Sequence, residues 1–120
     1  VDTAPRLESP DLHDALQQAN KVILVSSPSP ADLWTSQDTI EVIRRHYRGD
    51  KAAVLFNSVL KNTTLARELP ELGARFDLPI LSRQVSRRQS YQHAMLLGWR
   101  ALDSKARNEV LQVALEIITF

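Results

Sequence analysis

Arg83, Arg87 and Arg88 form a dense basic cluster in the sequence. A guanidinium holds phosphate oxygens in a planar fork and needs no base sequence to do so, which makes such a cluster a candidate contact to a nucleic-acid backbone. Any single loop arginine more often pairs with a nearby carboxylate, so the expectation rests on the group. Arg100, Lys105 and Arg107 extend the patch. Asn57 closes the apolar run Val54-Leu55-Phe56, and its amide carries the donor and the acceptor that reading a base edge requires. The ordinary role of Asn at a strand end is to make a turn. Asp2 precedes Thr3-Ala4-Pro5; a carboxylate at a strand tip can hold a metal-bound water, or it can simply be an exposed residue.

Other chemistries are poorly served. There is no cysteine, which excludes a disulfide framework, a thiolate zinc site and a cysteine nucleophile. His13, His46 and His93 have neither an i, i+4 partner nor a Glu at metalloprotease spacing. Ser26, Ser27 and Ser29 lack the Gly-x-Ser-x-Gly elbow of a serine hydrolase. Fifteen Lys and Arg stand against fourteen Asp and Glu, so nucleic-acid binding must reside in one segment. No apolar run approaches the ~20 residues that span a bilayer, and the Leu111 to Phe120 stripe lacks the basic face that would hold it on lipid. A chain of 120 residues with 43% hydrophobic content is expected to fold as one domain, residues 1–120, with no internal repeat or linker.

The elements that must position these residues alternate between two periods. Val22 to Ser26, Ala52 to Phe56 and Pro79 to Ser82 are short, nearly continuous apolar runs, as expected of parallel strands covered on both faces, and Val1-Asp2 reads as the end of a fourth. Leu12, Ala15, Leu16 and Ala19 follow helical spacing behind Ser9 and Pro10. A second helix starts at Ser29-Pro30, buries Leu33, Ile40, Ile43 and Tyr47, and stops at Gly49. A third carries Leu65, Leu69, Leu72 and Phe76, with Pro70 predicting a break or kink. A fourth runs from about Gln89 to Leu97 and ends at Gly98. The last starts after Asp103 and buries Ala106, Val110, Val113, Ala114 and Ile117. The alternation predicts an α/β fold, a mostly parallel sheet in three layers with helices on both faces. In such a sheet the polar segments after each strand, Asp2-Thr3, Ser26 to Pro30, Asn57 to Thr64 and Arg83 to Arg88, meet at the carboxyl end.

The order of these segments resembles the C-terminal half of the ParA/MinD family of partition ATPases. Asp2-Thr3-Ala4-Pro5 is similar to the family's hydrophobic-Asp-Thr-Pro-Pro element, with Ala4 in place of the first proline. The stretch from Lys21 to Trp34, with Ser-Pro-Ser-Pro followed by Asp32-Leu33-Trp34, is the most specific match. Val54 to Val59 looks like the family's apolar run ending in Asn, and Leu78-Pro79-Ile80-Leu81 with its arginine-bearing loop, Ala94 and Gly98 looks like the next unit. The resemblance implies a P-loop NTPase fold, incomplete here. It places Asp2 on the magnesium and attacking-water side, Asn57 and Pro79 at the nucleotide, Asp32 and Trp34 at a dimer interface, and Arg83, Arg87 and Arg88 on DNA.

The phosphate-cradling Gly-x-x-x-x-Gly-Lys-Ser/Thr loop, or its Lys-Gly-Gly variant, is not in this sequence, whose glycines are Gly49, Gly73 and Gly98. In the family that loop lies upstream of the Asp-Thr-x-Pro strand. The resemblance therefore implies ATP and Mg as cofactors of a longer protein and neither for this chain alone. It further implies a homodimer, nonspecific DNA, a ParB-like centromere-binding partner, no membrane, and a nucleoid-associated protein of the bacterial cytoplasm. The competing expectation is a truncated, non-catalytic ParA-like module working through protein or DNA contacts. A receiver-like α/β domain fits least, since the acidic cluster and late-strand lysine of that class are missing.

Overall fold

The computed structural model describes residues 9–120. The elements are α1 (Pro10–Gln18), β1 (Val22–Ser26), α2 (Pro30–His46), β2 (Ala52–Phe56), α3 (Thr64–Gly73), α4 (Gln89–Leu97), a 3-10 turn (Gly98–Ala101) and α5 (Ser104–Thr119). Local chemistry sets most of the starts. Proline occupies the first turn of α1 and α2, where its missing N–H costs nothing. Ser29 Oγ accepts from Asp32 N at 3.3 Å, Thr63 Oγ1 from Ala66 N at 3.2 Å and Asp103 Oδ1 from Ala106 N at 2.7 Å, so three helices begin on a side-chain cap. Ser9 holds the cap position of α1 without making that bond.

β1 and β2 pair in parallel, from Val22 opposite Ala52 to Ser26 opposite Phe56. Alternate residues of β2 enter two different cores. Ala53 and Leu55 face Leu81 and Val113, joined by Ile117 and Phe120 of α5's end. Val54 and Phe56 face Val59 and Leu69, joined by Leu33 of α2 and Ala66 and Leu72 of α3. β2 is therefore covered on both faces, which is why it reads as an unbroken apolar run, whereas β1 is only partly buried and exposes Val25.

The expected strand Pro79–Ser82 is much reduced. It survives as a single parallel bridge, Val54 to Ile80, fixed by Val54 N to Pro79 O at 2.8 Å and Leu81 N to Val54 O at 2.9 Å. The next bridge, Val59 to Ser86, lies beyond a bend, because Ser82 and Arg83 turn their backbone N–H groups to a side chain of α5 instead of a strand. Among the described residues the sheet thus has two strands. The fourth strand expected at Val1-Asp2 lies outside the described residues.

Pro70 sits inside α3 without ending it; the helix continues to Gly73, and Phe76 falls beyond its end. α2 ends at His46, short of Gly49. The glycine serves another purpose: a Cβ there would run into the Tyr47 ring. Tyr47 Oη donates to Asn20 O at 2.7 Å and accepts from Lys51 N at 3.3 Å, tying together the approaches to β1 and β2. Gly98 ends α4 as expected, at a φ of 75° that favours glycine. Lys21 Nζ caps the far end of α5, donating to Ile117 O and Ile118 O, each at 2.8 Å.

Candidate functional site

Two loops at the carboxyl end of the sheet are laced together through their backbones. Val85 N donates to Phe56 O at 2.9 Å, Val59 N to Val85 O at 3.1 Å and Arg87 N to Val59 O at 2.8 Å. The Asn57 turn and the arginine loop therefore form one surface. Asn57 is exposed; its Oδ1 accepts from Ser58 N at 2.8 Å, and its NH2 makes no hydrogen bond among the described residues. Ser58 takes a positive φ of 59° in that turn, and Asn62 one of 63°.

The arginine loop is held in shape from α5. Glu109 Oε1 accepts from Ser86 N at 2.8 Å and Tyr91 Oη at 2.7 Å, while Oε2 accepts from Ser86 Oγ at 2.7 Å and Arg88 Nη2 at 3.1 Å. Glu116 does the same for the start of the loop, taking Ser82 N at 2.8 Å, Ser82 Oγ at 2.7 Å and Arg83 N at 2.8 Å. Burial works against charge on Glu109, but the bonds from Ser86, Arg88 and Tyr91 outweigh it and hold the carboxyl down at about 2. Burial and the bond to Glu109 push the Tyr91 phenol up to about 12. Burial also opposes charge on Glu116, where the Arg83 and Ser82 donors prevail and keep its carboxyl below the usual range.

The three arginines are consequently unlike one another. Arg88 turns inward with its side chain 20% exposed and spends its guanidinium on Glu109. Arg83 and Arg87 are exposed. Neither Glu109 nor Glu116 is a candidate on sequence grounds, although a signal exists. Ala106, Glu109, Val113 and Glu116 recur at helical spacing, so the carboxylates stand in the row that enters the core and must find donors there.

The remaining expected residues are dispersed. Pro79 lies opposite the middle of β2, beside Val54, about 10 Å along the strand from Asn57. Asp32 is engaged locally: its carboxylate accepts from Ser27 Oγ and its N–H caps onto Ser29. Trp34, two residues on, is 76% exposed, flanking a cavity of about 240 Å³ with Leu33, Leu72 and Phe76. Asp2 lies outside the described residues. Among the described residues no three His, Asp or Glu side chains converge as a metal set, and no helix is long and apolar enough to cross a membrane.

No protein-family profile matches the chain. It is similar to the Maintenance of carboxysome distribution protein A of Halothiobacillus neapolitanus (strain ATCC 23641 / c2), at 28% identity over 126 aligned residues. The match takes in 98% of this chain and 58% of that protein, so the chain spans little more than half the length of the relative. The similarity supports the ParA/MinD resemblance only coarsely.

Proposed function

We propose that this chain is the C-terminal portion of a ParA-like partition or positioning ATPase whose nucleotide-dependent dimer binds DNA without sequence preference. The observation that carries the proposal is the backbone lacing of the Asn57 turn to the loop of the exposed Arg83 and Arg87, which supports reading the Asn57 amide and the guanidiniums as parts of one surface. The similarity to a carboxysome-distribution protein supports the same reading and widens the cargo beyond plasmids and chromosomes.

The residues present fit the base end of a nucleotide. Asn57 is exposed with its amide NH2 free to donate, and its Oδ1 keeps a second lone pair for a base donor. ATP with Mg supplies, when bound, the energy of phosphoryl transfer and the charge neutralisation that transfer needs. Nothing in this sequence supplies the backbone cradle for the phosphates; that part belongs to a longer product, with Asp2 on its metal side. Arg83 and Arg87 are the DNA contacts. Arg88 joins Ser86 and Tyr91 as a donor to the Glu109 carboxylate, which fixes the loop that displays them. Trp34, exposed next to a partly apolar cavity, is a contact of the dimer, with Asp32 shaping the helix start that presents it.

The intact mass of the gene product in its native source tests the proposal. A product longer than this chain by about one small domain, carrying a Gly-Lys phosphate loop, is expected. A product of this length overturns the ATPase and favours a non-catalytic interaction module. One feature of the surface supports that second reading: α4 has no buried residue and shows Met95 and Leu96 at 87% and 88% exposure, with Leu97 and Trp99 beside them.

A further inference from the structure

Beside the laced loops, a groove of about 580 Å³ opens between the β2–α3 turn, the arginine loop and the first half of α5. Four cationic side chains line it, Lys61, Arg83, Arg88 and Lys105, and one carboxylate, Glu109. That carboxylate is already spent. Its oxygens take Ser86 twice, Tyr91 and Arg88, and Lys61 stands off at 3.8 Å. Arg83 and Lys105 make no ion pair among the described residues. A further donor is left over: Arg88 Nε is buried without a hydrogen-bond partner. Unpaired buried donors are uncommon in folded proteins because each forfeits its water bonds.

We infer that this groove binds a multiply charged, phosphate-bearing anion. The cations exceed the one carboxylate by three, so a single carboxylate ligand would leave most of the charge unbalanced. A pyrophosphate group, or two neighbouring phosphodiesters, would neutralise it. Guanidinium forks suit phosphate oxygens, lysines add charge without fixed geometry, and the amides of Asn108 and Gln112 on the α5 wall supply neutral donors. Arg88 Nε has almost no accessible surface of its own, so it lies under the groove's wall and reports on an occupant without touching it. Asn57 and Arg87 do not line the groove, so its occupancy does not depend on an ATP site; Arg83 is shared with the DNA contacts proposed above, and the two probes used below separate the cases.

The experiment uses the whole chain labelled with ¹⁵N, at constant ionic strength, and follows the Arg88 Nε–Hε resonance and the Ser86 amide. Titration with inorganic pyrophosphate is expected to move both saturably. Lys61→Ala with Lys105→Ala, at two exposed positions, removes the 3.8 Å Lys61–Glu109 ion pair but keeps the four hydrogen bonds on Glu109, and is expected to weaken that binding by about tenfold or more. Movement with a short DNA duplex and not with pyrophosphate assigns the same chemistry to a phosphodiester backbone. No saturable movement with either probe, or equal affinity in the double variant, overturns the inference.

Discussion

Glu109 and Glu116 stand two turns apart on α5, and each carboxylate grips one bend of the arginine loop, at Ser86 and at Ser82-Arg83. The loop takes its shape from a helix more than twenty residues downstream. Here α5 replaces a strand partner with two side chains, which explains why the third strand shrinks to a bridge.

Glu109→Gln should therefore cost more than a surface change. The amide cannot accept from Ser86, Tyr91 and Arg88 as a carboxylate does, and it leaves a half-buried guanidinium unpaired. A loss of about 1–3 kcal/mol is expected, seen as a lower urea midpoint at unchanged slope. An unshifted midpoint would mean that the network contributes nothing net.

The same carboxyl predicts the acid limb of the stability curve. Its folded value, about 2, lies below the ordinary 4.5, so folding holds it ionised. The stabilisation is fully present above about pH 4.5 and disappears as pH falls through about 2. At the alkaline end Tyr91, raised from 10.0 to about 12, contributes stability that is complete below pH 10 and lost as pH rises through 12. Denaturant titrations across the acid window should slope downward for the native chain and flatten for Glu109→Gln. Parallel slopes would place the acid sensitivity elsewhere.

Gly49→Ala should act through Tyr47. The new methyl must displace a ring anchored to Asn20 and Lys51, so both changes break the same bonds. Each single variant, Gly49→Ala and Tyr47→Phe, is expected to lose about 1–2 kcal/mol, and the pair less than their sum. Additive losses in a thermal-denaturation cycle would show the two to be independent.

Much of this architecture is legible in the sequence, because it depends on local rules. Ser29-Pro30, Asp103 and Gly98 mark helix ends by chemistry that operates within a turn, and the apolar runs of β1 and β2 announce strands, of which β2 is buried on both faces and β1 only in part. What escapes is long-range. Nothing near Ser82 predicts that its N–H will bond Glu116 rather than a neighbouring strand. Nothing near Arg88 distinguishes it from Arg83 and Arg87 until α5 arrives with Glu109. Tyr47, placed on the inner face of α2 by its spacing, instead folds over Gly49 beyond the helix end.

For DNA, the informative variant pairs the two exposed arginines. Arg83→Ala with Arg87→Ala, in the native-length product, should weaken duplex binding and reduce the slope of log K against log salt by about 1–2, one to two phosphate contacts. The Arg88→Ala change is unsuitable as a probe because it breaks the Glu109 network. Unchanged affinity and slope across a salt series would remove these residues from the DNA surface.

The central claim is that this chain completes an ATP site, and equilibrium binding of Mg-ATP to the gene product purified from its native source tests it most directly. Saturable binding is expected, weakened by about tenfold in Asn57→Ala through loss of the amide's hydrogen bonds to the base. A native product that binds no ATP, or binds it equally well without the Asn57 amide, would contradict the account.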